Sequence, residues 1–195
     1  GNLRPGGTNT FVEAGADELT TCVPMHGTYT IGTGGAASFN TFNAAKNALY
    51  FCGISGPVTF AIKSGTYIES LGFTAPVVGA SSINTITWRS AANDSSAVIW
   101  KSAAGLAPLL SLSEVDHMAF RHLTLDRSNG QGSTLVTVVN AGAPVCIGLL
   151  FRNIRFVGNA AGTASNDLVR CSTGDALAAT TFANCSFELG NHGLN

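Results

Sequence analysis

Asp126 and Glu188 are separated by twice a 31-residue interval, with Val157 midway and Arg127 and Arg155 beside them. If that interval is one turn of a stacked structure with rungs about 4.8 Å apart, the two carboxylates stand about 9.6 Å apart. That is too far to share a calcium ion, whose ligands lie within about 2.6 Å of the metal. It is close to the roughly 6.5–9.5 Å between general acid and general base in inverting glycoside hydrolysis. The competing reading is two solvated residues at strand ends.

A second polar cluster is Asp116, His117 and His122, in SEVDHMAFRH. A histidine beside a carboxylate can serve as a general base, yet no GxSxG-type nucleophile accompanies it. Arg121 and Arg152 are again one such interval apart. Guanidinium groups on adjacent rungs repel unless solvated or paired with acids, so this column either is a structural ladder or suits a carboxylate-bearing glycan or an acidic protein surface. Five cysteines show no CxxC pair and no His/Cys spacing for zinc. Cys22 and Cys52 flank the first strand and helix and can join if the protein matures in an oxidising compartment. Cys185 stands in an apolar column as a small hydrophobe. The sequence therefore assigns no catalytic, cofactor-binding or metal-binding residue. GTGG at 32–35 and the other glycine pairs lack the strand-to-helix context of a phosphate loop and read as turns.

What must position these residues is a repeat. Phe120, Phe151 and Phe182 recur at the same interval, opening FRHLTLD, FRNIRFV and FANCSFE, with Leu123, Ile154 and Cys185 in register, and likewise Leu125, Phe156 and Phe187. Periods of about 20 to 50 residues mark solenoids and propellers. Three short strands per period are too few for a propeller blade and suit one coil of a parallel β-helix. The inward spacing of two, three, two is strand, tight bend, strand. His122, Asn153 and Asn184 occupy the bend, where asparagine tolerates left-handed backbone and stacked amides can bond along the axis, so the pattern predicts a ladder through Asn153 and Asn184 beside the phenylalanine column. Upstream, Ile86 and Trp88 align with Met118 and Phe120 at an interval of 32, and Phe60 precedes Trp88 by 28.

The expected organisation is an extended leader over 1–26, a first strand and helix over 27–56, and β-helix coils over 57–195. The helix is predicted over Phe39–Phe51, with Ser38 as N-cap, Gly53 as terminator and an apolar stripe of Phe39, Phe42, Ala45, Ala48 and Leu49. Laid over the first rung, it would act as an N-terminal cap. The last repeat stops at Asn195 soon after its second strand, so the sequence predicts that the polypeptide continues or that another chain covers this end.

Charged residues make up 11% of the 195, against about 25% in ordinary globular proteins, and the net charge is −1. Low charge with abundant Gly, Ser, Thr and Asn suits an extracellular all-β protein. No Lys/Arg cluster in the sequence would neutralise a run of phosphates, which argues against nucleic acid as partner. No apolar run is long enough for a membrane span.

The order GTYTIG, SFNTFNAAKNAL, CGISGPVTFAIKSGTYIES, NTITWRS resembles the start of right-handed parallel β-helix proteins of the pectin-lyase-like class, closest to large secreted surface proteins of Bacteroidetes-type bacteria. By motif the resemblance covers residues 27–128, and by periodicity it runs to the end. It implies an extracellular or cell-surface location, export across the outer membrane with a C-terminal sorting domain of the type IX kind, and adhesive roles. The expected function is a structural or adhesive segment that engages a surface glycan or protein ligand. The alternatives are a polysaccharide lyase or glycoside hydrolase on the same scaffold, and a cargo of outer-membrane export machinery.

Overall fold

The computed structural model describes residues 22–34, 36–102, 108–128, 134–139, 146–159, 167–172, 180–189 and 192–194. Most of the leader expected over 1–26 and the segments 129–133 and 160–166 lie outside them. The chain begins with β1 (Met25–Ile31) and α1 (Phe42–Cys52). Five rungs of three strands follow: β2 (Ile54–Ile62), β3 (Gly65–Ile68), β4 (Leu71–Phe73); β5 (Ile86–Ser90), β6 (Val98–Lys101), β7 (Leu110–Ser113); β8 (Met118–Arg121), β9 (Thr124–Asp126), β10 (Val136–Val139); β11 (Leu149–Arg152), β12 (Arg155–Val157), β13 (Asp167–Ser172); β14 (Thr180–Ala183), β15 (Ser186–Glu188), β16 (His192–Leu194).

Each strand pairs in parallel with its equivalent one coil away, giving three sheets that wrap a common core. Sheet A runs β1-β2-β5-β8-β11-β14, sheet B β3-β6-β9-β12-β15 and sheet C β4-β7-β10-β13-β16. Among the described residues the fold is a mostly β, parallel β-helical solenoid with one short helix, and its coil length of about 31 residues matches the period of the sequence.

The register explains that period. Phe60, Trp88, Phe120, Phe151 and Phe182 are successive partners along sheet A. Phe120 and Phe151 stack at 5.4 Å between ring centroids, and Phe151 and Phe182 at 5.1 Å. Sheet B contributes a second column, aromatic except at Leu125: Tyr67, Trp100, Leu125, Phe156, Phe187. Parallel stacking puts identical residue types above one another, so aromatic rings one rung apart meet face to face and add about 0.5–1.5 kcal/mol per pair to their burial. Between sheets A and B the chain turns through His122, Asn153 and Asn184 with φ of 54°, 54° and 52°. Asn153 Nδ2 lies 3.2–3.3 Å from the His122 ring nitrogens, and the bend is knitted along the axis by His122 N to Arg152 O and Asn153 N to Ala183 O. A two-residue reversal of side-chain facing needs one left-handed residue, and the short amides accept that backbone at little cost.

The helix starts later than the sequence pattern predicts. Thr41, not Ser38, is the N-cap, its hydroxyl accepting from Ala44 N at 3.0 Å. Ser38 is instead bound to Thr30, whose N donates to Ser38 Oγ and whose Oγ1 accepts from Ser38 N. Phe39 forms a parallel bridge with Ile31. Pairing with β1 thus captures Ser38 and Phe39 in extended backbone, and helical geometry begins only beyond them. Gly53 ends the helix at φ 64°, its N–H donating to Leu49 O. Strand β1 begins at Met25, inside the span expected as leader.

Helix α1 lies in the chain between β1 and β2, so it takes the place that strands of sheets B and C would occupy in the first rung. Phe42, Ala45 and Leu49 are fully buried. Phe42 stacks on Trp100 at 4.4 Å and on Trp88 at 5.9 Å, and meets Tyr67 edge-on at 5.2 Å. The Glu69 carboxylate, 27 residues away, accepts from Phe42 N at 2.8 Å and Asn43 N at 3.1 Å. A carboxylate there satisfies two of the helix's unpaired donors and opposes the positive end of its dipole. Tyr50 Oη accepts from Thr74 N at 2.9 Å and Ala75 N at 3.3 Å, fixing the helix to backbone just beyond β4. Burial, then the nearby Glu69 charge, raises the Tyr67 phenol above its ordinary range.

Cys22 and Cys52 are joined as a disulfide, with their Cα atoms 5.0 Å apart and a sequence separation of 30. It staples the C-terminal end of α1 to the approach to β1. Reduction is expected to destabilise the protein by about 3–4 kcal/mol, the chain-entropy value for a loop of that size. Denaturant unfolding with and without reductant checks this, and coincident midpoints would contradict it.

Candidate functional site: charged columns on the outer faces

The side chains that face outward are where any chemistry must lie, because the interior is filled by apolar residues. On sheet B the outward columns are Thr66, Ile99, Thr124, Arg155, Ser186 and Ile68, Lys101, Asp126, Val157, Glu188. Asp126 and Glu188 therefore do lie in one column with Val157 between them. Each is bound to a cation. Lys101 Nζ is 3.1 Å from Asp126 Oδ2, and Arg155 forms a fork with Glu188, Nε to Oε1 and Nη2 to Oε2, both at 2.8 Å.

Burial opposes ionisation of Asp126, but the Ser128 hydrogen bonds and Lys101 outweigh it and hold the carboxyl below its ordinary range. The Arg155 hydrogen bonds do the same for Glu188. An inverting hydrolase needs one carboxyl kept protonated to donate to the leaving group. Here both are stabilised as carboxylates, the opposite of what a general acid requires.

The cluster of Asp116, His117 and His122 does not converge either. His117 and His122 sit at opposite ends of β8. Asp116 Oδ1 accepts from Ile147 N at 2.8 Å, and His117 N donates to Ile147 O at 2.7 Å. Both residues thereby tie one coil to the next ahead of sheet A. His117 has φ 53°, and a Cβ at Gly148 would come within 2.8 Å of its Nδ1, so only glycine allows the two coils to approach so closely there. Arg127 is buried at 3% exposure. On sheet C, Arg170 Nε is 3.1 Å from Asp167 Oδ2. Among the described residues no group of three or more His, Cys, Asp or Glu could hold a metal ion.

Sheet A is different. Arg89, Arg121 and Arg152 are successive partners, and the adjoining outward column is Thr59, Thr87, Ala119, Leu150 and Thr181. Arg89 Nη1 donates to Asn93 Oδ1 at 2.9 Å and to Ser90 O at 3.2 Å. Among the described residues Arg121 and Arg152 have no carboxylate partner. The Arg121 Nε is shielded from water and unpartnered. Asp94, just past Asn93, is taken up by Ser96 N and Oγ, both at 2.8 Å. Three positive side chains thus stand in line on a face whose other outward residues are neutral.

Sequence reading aligned Arg121 with Arg152 but missed Arg89. The interval from Trp88 to Phe120 places Arg89 opposite Arg121 once the longer upstream coil is applied. Glu69 and Lys101 were also missed, since their partners are far away in sequence.

The class that the fold defines is a parallel β-helical solenoid. Comparison with family models, with curated proteins and with solved structures finds no match to the chain. No helix among the described residues is long and apolar enough to cross a membrane.

Proposed function

We propose that the chain is a structural or adhesive β-helical segment of a large secreted or cell-surface bacterial protein of pectin-lyase-like architecture, delivered by outer-membrane export machinery. The observation that carries this reading is the distribution of outward charge. The carboxylates of sheet B are neutralised by cations on neighbouring strands, and the remaining polar groups are spread in columns along the axis. That is the surface of a scaffold that contacts a partner over length, not of a pocket that encloses a substrate. A solenoid adds reach coil by coil with one repeated core. The Cys22–Cys52 disulfide supports maturation in an oxidising compartment.

Adhesion of beads coated with the protein to bacterial and host cell surfaces tests the adhesive part. Retention above that of beads coated with an unrelated β-protein is expected. Retention equal to that control on every surface would remove the adhesive role and leave the structural one.

A further inference from the structure

We propose that Cys146 and Cys171 are a second disulfide site, a thiol pair that closes the coil of β11, β12 and β13 as Cys22 and Cys52 close the one of β1 and α1. The inference goes beyond the adhesive reading and does not depend on what the outer faces bind. Three observations carry it.

The first is equivalence of position. Cys22 stands three residues before β1, a sheet A strand, and Cys52 ends α1, the element that completes that coil. Cys146 stands three residues before β11, again a sheet A strand, and Cys171 lies at the end of β13, the sheet C strand that completes its coil. The start and the end of a coil meet at one corner, so cysteines placed there are brought together. The first pair is bonded across 30 residues with its Cα atoms 5.0 Å apart, and the second spans 25 residues.

The second is side-chain placement. Along β13 Val169 is buried and Arg170 exposed, while Cys171 is half-buried and packs against the core. Cys146 is buried in the same core. Its sulfur lies 3.9 Å from the Val139 carbonyl oxygen, and Val138, the residue before, is the strand partner of Cys171. Adjacent rungs are about 4.8 Å apart, and a disulfide spans Cα atoms roughly 4.4–6.8 Å apart.

The third is that the two thiols act on each other. Burial, then the neighbouring Cys146, raises the Cys171 thiol above its ordinary range. Cys185, the remaining free cysteine, lies at the bend between sheets A and B, its sulfur 3.4 Å from the Phe151 carbonyl oxygen. It is the odd member of the five.

Cys171 is the more exposed thiol, so an external oxidant reaches it first. Its thiolate, with the proton lost to solvent, attacks one sulfur of a small disulfide such as oxidised glutathione and expels one glutathione thiolate. Cys146, deprotonated in turn, attacks the Cys171 sulfur of the mixed disulfide and expels the second. Two protein thiols thus lose two protons and two electrons, and the electrons reduce one glutathione disulfide to two thiols.

The test is to incubate the folded full chain with oxidised glutathione, unfold it, alkylate the remaining thiols and map the peptides without reduction. Trypsin with chymotrypsin separates all three cysteines, cutting after Arg152, Arg170 and Phe182. The Cys146 and Cys171 peptides are expected to be joined, so that two of the three free thiols are lost to alkylation. A bridge already present before oxidation is the same result. Cys146→Ala should stall the exchange with glutathione held on Cys171, whereas Cys171→Ser should leave the buried Cys146 free to be alkylated. Should Cys146→Ala fail to fold, the wild-type map and Cys171→Ser, at the half-buried position, decide. The site is overturned if both cysteines remain alkylated after oxidation, if either is bridged to Cys185, or if the bridges join separate chains. Glutathione on Cys146 in Cys171→Ser would overturn Cys171 as the point of entry.

Discussion

Phe151→Ala should destabilise the protein by about 3–5 kcal/mol, the range for truncating a fully buried phenylalanine. Phe151 has no exposed surface, stacks on Phe120 and Phe182, and touches Phe156 at 5.9 Å. Truncation would leave a void with rings above and below that cannot close without shifting two rungs. In a solenoid each coil is held mainly by its neighbours, so the loss should be local. Amide exchange in β11, β14 and β12 should accelerate much more than in β2 and β5. Phe182→Ala is the matched comparison. Phe182 is only partly buried, and its neighbour Phe187 is 39% exposed, so its truncation should cost clearly less. Equal losses at the two positions would contradict the packing account.

Phe42→Ala should be comparably damaging, about 3–5 kcal/mol, and its failure should have a different character. Phe42 fills the top of the core between Trp100, Trp88 and Tyr67 and is the first helical residue, with its N–H on Glu69. Removing the ring frees α1 from the stack while the disulfide still tethers its far end. The edges of β3 and β4 would then be open to pairing with other chains. The expected result is a lowered midpoint together with concentration-dependent association, followed by denaturant unfolding and light scattering. A variant that is destabilised yet stays monomeric at high concentration would show that α1 does not protect those edges.

The parts of this fold legible in the sequence are those where geometry repeats locally. The spacing of Phe120, Leu123 and Leu125 survives as Phe151, Ile154 and Phe156 because strand, bend and strand must place the same side chains inward on every rung. His122 and Asn153 mark the bend because their residue types suit a left-handed backbone. Loops between sheets are under no such constraint, and changes in their length hid Arg89 from the column that Arg121 and Arg152 announced. The helix start was misread because Phe39 carries the apolar spacing of a helix but is claimed by a bridge to Ile31. Glu69, Lys101 and the Arg155–Glu188 fork were illegible for another reason. Their roles depend on partners a coil or so away along the chain, on which local pattern is silent. Asp126 and Glu188 were placed in the right column, yet only their bound cations reveal that they are held as carboxylates.

The most direct test of whether the outer face is a scaffold or an active site is to incubate the full chain with polygalacturonate and follow polymer length. The account predicts that polymer length and reducing-end count stay constant, with or without Asp126→Asn and Glu188→Gln, because both carboxyls are held ionised by bound cations. Shortening of the polymer that either of those two substitutions abolishes would contradict it and make the paired carboxylates an active site.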